Sequence, residues 1–267
     1  MGRPGWHIEC STMSKKYLGD TIDIHAGGQD LQFPHHENEI AQSETHNGKQ
    51  FSNYWMHNAY ITIDNQKMSK SKGNFFTVRD ILKSYSGEAI RFFLLSGQYR
   101  NPINFSEELM QQAKNSLARM ENAKSNLEFL IAKGTGAVTP EEQQELKDFD
   151  KYREGFIAAM DDDLNTADAI SEVFELITAI NTAVRDGASK EFAQKSLDIL
   201  MELCNVLGLL QENESETVDD DIEALVEERQ KARKEKNFAR ADEIRDQLKA
   251  RGITLKDTPQ GVQIVRE

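Results

Sequence analysis

Two groups of residues in this chain of 267 have types and spacings that suit chemistry. The first is Lys67-Met68-Ser69-Lys70-Ser71, followed by Lys72-Gly73-Asn74. Lysines interleaved with serines and closed by Gly-Asn make a cationic loop that can hold a triphosphate. Its ammonium groups would meet the charge that develops on a leaving pyrophosphate, and Ser69 and Ser71 would add hydroxyl donors. A lysine–serine loop is also ordinary solvated surface; the full five-residue match after a strand-like segment is what favours phosphate. The second group is Cys10 with His35 and Glu39. A His-x-x-x-Glu spacing puts both side chains on one face of a helix. Thiolate, imidazole and carboxylate together suit zinc. By itself the trio is a weak signal: a lone cysteine is usually a small buried hydrophobe, and such a helix pair is usually a surface contact.

The elements that must position these groups can be read from periodicity and turn signals. Thr21–Ala26 alternates apolar and polar and meets Gly27-Gly28, as a strand running into a turn does. Glycines there would let an adenine approach the backbone, and Asp30 could take ribose hydroxyls; a plain tight turn reads the same way. Pro34 sits where a helix could begin, running to Asn47-Gly48. Asn58–Ile63 reads as a second strand and 64–74 as a loop. Thr77 could cap a helix through Tyr85, with a further helix over Gly87–Leu95. From Ser106 the pattern turns helical. Helices are expected from there to Ala132, from Thr139 to Met160, over Thr166–Val184 and over Lys190–Leu207, as a bundle with short connections. Residues 211–221 read as an acidic linker. Two helices broken near Asn237 follow, then a hairpin around Asp257-Thr258-Pro259-Gln260-Gly261.

Composition sets the bounds. The net charge is −13, which taken alone argues against nucleic acid. The distribution says more than the sum. Glu212 to Glu228 is all acidic among its charges, whereas Arg229 to Arg251 is mostly basic, with Arg229, Lys231, Arg233, Lys234, Lys236 and Arg240 crowded around Phe238. Such blocks are solvated helix faces or nucleic-acid contacts. The 2 cysteines are too few for a disulfide framework and point to a reducing cytoplasm. No apolar run is long enough for a membrane helix.

The Lys67–Ser71 run is the Lys-Met-Ser-Lys-Ser motif of class I aminoacyl-tRNA synthetases. Gly2-Arg3-Pro4-Gly5-Trp6-His7-Ile8-Glu9-Cys10-Ser11, Asp23-Ile24-His25-Ala26-Gly27-Gly28-Gln29-Asp30-Leu31 and Phe33-Pro34-His35-His36-Glu37-Asn38-Glu39 narrow the resemblance to the cysteinyl-tRNA synthetases. The resemblance covers nearly the whole chain and is most specific over residues 2–105. It implies an α/β fold, the second half of a Rossmann-like catalytic domain, over 1–104. An all-α helix bundle over 105–210, a linker over 211–221 and a small α+β anticodon-binding module over 222–267 follow. It implies ATP, with Mg2+, at Gly27, Gly28, Asp30 and the Lys67, Met68, Ser69, Lys70, Ser71 loop, with Lys67 and Lys70 catalytic. In that family two cysteines, a histidine and a glutamate hold a zinc ion, and Cys10, His35 and Glu39 match three of the four. Cys204, in the helical region, is not the missing counterpart. The resemblance further implies that the substrate thiolate joins the zinc. Zinc favours a soft thiolate over a serine hydroxyl, where shape alone separates the two poorly. Trp6 and His25 would line the amino-acid pocket, and His36 reads as a helix-surface histidine.

The resemblance implies a cysteine–tRNA ligase with cysteine, ATP and tRNA(Cys) as partners; a cytoplasmic place follows from the cysteine count, and a monomer is the default expectation. Arg233, Asp242 and Asp257 are the expected anticodon readers, since a planar arginine fork suits guanine and carboxylates accept from base amino groups. One departure stands out: the family's His-Ile-Gly-His signature does not occur in this sequence. The chain is therefore expected to lack the first half of the catalytic domain and to form no cysteinyl-adenylate alone, which cysteine-dependent ATP–pyrophosphate exchange would test. The alternatives are a tRNA-binding module without catalysis, or a thiol-biosynthesis ligase acting on an amino-sugar. The helix pair and hairpin at the end disfavour the latter.

Overall fold

The computed structural model describes residues 2–63, 66–68, 76–184, 187–211, 220–235, 237–250, 253–258 and 261–266. The chain divides into two compact units: 1–81 with 97–107, and 82–96 with 108–267. Residues 82–96, inside the 1–104 stretch expected to be one domain, thus fold with the helices.

The first unit opens with α1 (Trp6–Leu18), a helix the sequence pattern did not announce. Gly5 enters it in an extended conformation, Glu9 lies in its first turn and Lys15 and Lys16 in its last, each with the sign the helix dipole favours. Gly19 ends it at φ 106°, a conformation glycine adopts without strain. Strand β1 (Ile22–Gly28) follows. Residues 29–36 then wind through irregular turns, with a cis Phe33–Pro34 peptide, before α2 (Glu37–Asn47). Strand β2 (Ser52–Asn58) returns parallel to β1, pairing Ile22 with Ser52, His25 with Trp55 and Gly27 with His57. Parallel neighbours need a crossover, and α2 supplies it.

The strand expected over 58–63 is divided. Asn58 closes β2, and β3 (Ile61–Ile63) belongs to a separate sheet with β4 (Gln66–Lys67) antiparallel on one side and β5 (Ile103–Phe105) parallel on the other. Part of the expected 64–74 loop is therefore a strand arm. The helix expected from Thr77 to Tyr85 is confined to α3 (Val78–Ile81).

The second unit matches its helical pattern closely. It contains α4 (Gly87–Leu95), α5 (Glu107–Lys133), α6 (Pro140–Asp161), α7 (Thr166–Ala183) and α8 (Lys190–Leu207). The starts are capped by side chains: Ser86, Asn165 and Ser189 each accept an amide three residues on, and Thr139 with Glu142 forms a reciprocal capping box ahead of Pro140. The core joins Met110, Met120 and Leu127 of α5, Phe149 of α6, Leu176, Ile177 and Ile180 of α7, and Phe192, Leu200 and Leu203 of α8, all nearly or fully buried. Each such side chain contributes on the order of 1.5–3 kcal/mol through removal of apolar surface from water. Beyond residue 219 come α9 (Asp220–Lys234), α10 (Phe238–Ala250) and the antiparallel hairpin β6 (Ile253–Thr258) and β7 (Gly261–Arg266). Val226, Ile244, Leu248 and Ile253 form their own small core.

Candidate metal centre

The chemistry-bearing residues of the first unit converge where α1 and α2 meet the β1–β2 pair. Side chains alternate across a strand, so His25 and Gly27 of β1 share one face with their register partners Trp55 and His57 of β2. That face meets the N-terminal turn of α2, with His36 just before it and Glu39 within it. The Ile24 and Tyr54 side chains take the other face and are exposed.

Glu39 is the hub. It is only 1% exposed, and its two carboxylate oxygens divide between two imidazoles. Oε1 lies 2.7 Å from Nε2 of His35, and Oε2 lies 2.9 Å from Nε2 of His25. Ligand atoms of Cys10, His35 and Glu39 all fall within 4.8 Å of one another. Those of His25, His36 and Glu39 do the same. Nδ1 of His36 meets Nε2 of His57 at 2.8 Å. Every histidine of the chain except His46 takes part in the ring contacts of this cluster, with Trp6 against His35 at 4.5 Å and Trp55 against His25 at 4.8 Å.

Burial governs the protonation of the cluster. It pushes the Glu39 carboxyl up to about 7 and, helped by the charges His25, His57 and His35 would carry, takes His36 down to about 4. His25 and His35 are lowered for the same first reason. The Cys10 thiol is raised by burial and then by Glu39 and Glu9. Burial thus favours the neutral imidazole forms of His25, His35 and His36, the forms that bind a metal. A borderline-soft dication fits this donor set: thiolate, imidazole and carboxylate converge, His35 and Glu39 are buried with Cys10 half-buried, and Glu39 Oε2 accepts no hydrogen bond.

The residues read from the sequence are distributed as follows. Cys10, His35 and Glu39 come together, and Trp6 and His25 flank them. His36 is 3% exposed and faces the cluster, so the surface position expected for it is incorrect. Trp55 and Phe51 pack against His25 and His57 against His36 and Trp55, three residues that the sequence alone did not single out. The signal that could have found them is the one-residue alternation Trp55-x-His57, in register with His25-x-Gly27. Gly27 and Gly28 end β1; a Cβ at Gly27 would lie 2.8 Å from Cε1 of His36, and one at Gly28 would lie 2.6 Å from Oδ1 of Asp30. Lys67 pairs with Thr62 as a strand residue and Met68 follows it, while Ser69, Lys70 and Ser71 lie outside the described residues.

In the C-terminal module Arg229 is buried, and Arg240 is tied to Glu228 at 2.8 Å and to Glu243 at 2.7 Å. Arg233 is exposed on α9, and Asp242 pairs with Arg245 at 3.1 Å. Asp257 is a β6 residue paired with Val262 rather than part of the turn. Phe238 is 63% exposed beside these charges.

Comparison with known proteins finds related families along most of the chain. Three family descriptions match successive stretches: "tRNA synthetases class I (C) catalytic domain" over residues 1–115, "DALR domain" over 155–211 and "Cysteinyl-tRNA ligase anticodon binding domain" over 215–266. A protein of Clostridioides difficile named "Cysteine--tRNA ligase" is 58% identical over 98% of this chain and 57% of its own length. One of the same name from Symbiobacterium thermophilum is 58% identical over 98% of this chain and 56% of its own. The chain thus spans little more than half the length of these relatives. Among solved structures, the LeuRS–tRNA–LeuAMS ternary complex from Agrobacterium radiobacter aligns with a TM-score of 0.55 at 18% identity, covering 71% of this chain and 28% of that one, a likeness of fold.

Proposed function

Because the chain belongs to the cysteine–tRNA ligase family, we propose that it supplies the thiol-selecting, phosphate-binding and anticodon-reading parts of an enzyme that activates cysteine with ATP and esterifies it to tRNA(Cys). The observation that carries this is the convergence of Cys10, His35 and Glu39 within 4.8 Å, the last two buried, beside parallel strands β1 and β2. In open α/β sheets ligands bind outside the carboxyl ends of the strands, which is where Gly27, Gly28 and His57 stand.

Each part has a separate task. Cys10, His35 and Glu39 hold zinc, which when bound supplies a soft centre that prefers a thiolate to a hydroxyl. Trp6 and His25 bound the space for the amino acid and keep water from it. Gly27 and Gly28 let adenosine approach the backbone, and Asp30 accepts from the ribose. Lys67 and Lys70, with Met68, Ser69 and Ser71, hold the ATP phosphates, with Mg2+, and offset the charge that builds on pyrophosphate. The helix pair and hairpin, with Arg233, Asp242 and Asp257, read the anticodon loop. The protein acts in the cytoplasm as a monomer. No helix among the described residues is long and apolar enough to cross a membrane.

The test uses the chain itself. Stripped of metal and reloaded with cobalt(II), it should change its thiolate-to-cobalt absorption when L-cysteine is added and not when L-serine is. A spectrum indifferent to both, or responding equally to both, overturns the proposal.

A further inference from the structure

We propose that the groove between α1 and α2 is a binding site for a small monocarboxylate carried on an apolar body. The helices enclose a cavity of about 310 Å3, at the lower end of the range for ligand pockets. Ile8, Ser11 and Lys15 line it from α1, and Gln42, Ser43 and Asn47 from α2. On α1 the spacings of three and four residues put this set along one helix face. No residue of the function proposed above lines the cavity, so the site stands apart from the metal donors, the nucleotide turn and the cationic loop.

Ser43 is the residue that points to a ligand. It lines the cavity, is 5% exposed, and its hydroxyl has no hydrogen-bond partner. Buried hydroxyls normally find one, and an unmade bond costs stability. A serine or threonine within a helix can turn its proton back to the carbonyl four residues before. Ser11 and Thr12 both do so, at 3.0 and 2.8 Å, and Ser43 does not.

The neighbouring groups set the chemistry of the occupant. Oε1 of Gln42 accepts from Ser11 at 2.9 Å, which leaves the Gln42 Nε2 group as a donor. Lys15 donates to Oδ1 of Asn47 and to Asp20 at 3.1 Å, and an ammonium has a third proton to give. Asp20 is shared with Lys49, also at 3.1 Å, so the ammoniums outnumber the carboxylate. The cavity therefore offers donors: a hydroxyl, an amide N–H and an ammonium. No acidic side chain lines it. A carboxylate answers all of these donors, and one ammonium of fixed charge suits a monoanion better than a phosphate dianion. Ile8, 44% exposed, gives the apolar wall that the body of the ligand would cover.

The test is an NMR titration of the nitrogen-15-labelled chain with cinnamate, its neutral amide cinnamamide, and inorganic phosphate. Cinnamate should shift the Gln42 side-chain amide and the Ser43 backbone amide saturably. It should bind at least about tenfold more tightly than cinnamamide, because the charge strengthens each hydrogen bond. Ser43→Ala removes a hydroxyl that holds nothing in the fold, so the variant should unfold no earlier than wild type in urea while binding cinnamate about tenfold more weakly. Lys15→Met should erase the preference for the acid over the amide, and Gln42→Leu should weaken cinnamate as Ser43→Ala does. The absence of a saturable shift at these residues overturns the proposal. So do equal affinities for acid and amide, phosphate binding more tightly than cinnamate, or cinnamate affinity unchanged in the Ser43 and Gln42 variants.

Discussion

Oε2 of Glu39 lies 2.9 Å from Nε2 of His25, which joins the first turn of α2 to the middle of β1 through a buried carboxylate. The contact fixes α2 against the strand pair at the point where His35 and Cys10 also converge. A buried carboxyl without a cation costs free energy, and a bound dication removes that cost.

Zinc should therefore stabilise the chain measurably. At a free concentration about 100-fold above its dissociation constant, a ligand bound only by the folded state adds about 2.7 kcal/mol. The midpoint of chemical unfolding should rise on adding zinc and fall again with chelator. Cys10→Ser, His35→Ala and Glu39→Gln should each blunt that rise. A midpoint insensitive to zinc would count against the cluster as a metal centre.

Gly27→Ala should disturb the cluster without touching a ligand. The new Cβ would stand 2.8 Å from Cε1 and 3.0 Å from Nε2 of His36. That imidazole has little room to yield: it is 3% exposed, bonded to His57, and flanked by His25 and Trp55 at ring distances of 4.8 and 5.3 Å. The expected loss is about 1–3 kcal/mol in a urea titration, typical of overpacking. Displaced imidazole resonances of His36 and His57 in NMR should accompany it. Unaltered stability and spectra would show that the ring moves freely.

The helical part of the chain was legible almost to the residue, and the reason is local. Thr139-Pro140-Glu141-Glu142, Ser189 and Gly208 are capping signals that act within one turn: α6 begins at the first, and α8 begins and ends at the other two. The first unit was less legible because its elements depend on partners remote in sequence. β5 spans Ile103–Phe105 only because β3 runs beside it, and the break at Ala59-Tyr60 marks the change from one sheet to another. Helix α1 has weak apolar periodicity and its side chains are largely exposed, so no stripe announces it. At the site, Cys10, His35 and Glu39 could be named from residue types. His36 was misjudged because burial comes from the fold of β1 and β2 around it, and no helical spacing encodes that.

Glu142 gives a pH-dependent prediction. Its carboxylate closes the α6 capping box at the amide of Thr139 (2.8 Å), and it reaches the start of α8 through the amide and hydroxyl of Ser189, each at 2.7 Å. Burial opposes ionisation, but these hydrogen bonds prevail and the carboxyl is held below its ordinary value. The folded state then binds fewer protons here than the unfolded chain. The stabilisation is full above the ordinary carboxylate range and is lost as pH falls through the lowered folded value. Glu142→Ala should cost about 1–2 kcal/mol at neutral pH. The gap between variant and wild type should close as unfolding is repeated at progressively acid pH. A constant gap would mean that packing, not charge, is what Glu142 provides.

Phe192 tests the bundle core. Its ring is fully buried and stands 6.1 Å from that of Phe149, linking α8 to α6. Phe192→Ala should lower stability by about 3–5 kcal/mol, the range for an aromatic removed from a packed interior. A loss under about 1 kcal/mol in guanidinium unfolding would indicate a core that collapses around the cavity.

In the C-terminal module the arginines differ in exposure. Arg240 is held by Glu228 and Glu243, and Arg229 is buried. Arg233 lies exposed on α9, close in sequence to the exposed ring of Phe238 at the start of α10. An arginine that reads a base edge and one that only neutralises phosphate differ in a measurable way. Arg233→Ala should weaken binding of tRNA(Cys) by about 1–3 kcal/mol and relax the preference for its anticodon. A contact to phosphate alone would weaken all tRNAs alike and lower the salt dependence of binding by about one counterion. Affinity for the anticodon stem-loop measured across salt concentrations, with matched and altered anticodons, separates the two outcomes. Unchanged affinity for the matched loop would remove Arg233 from the interface.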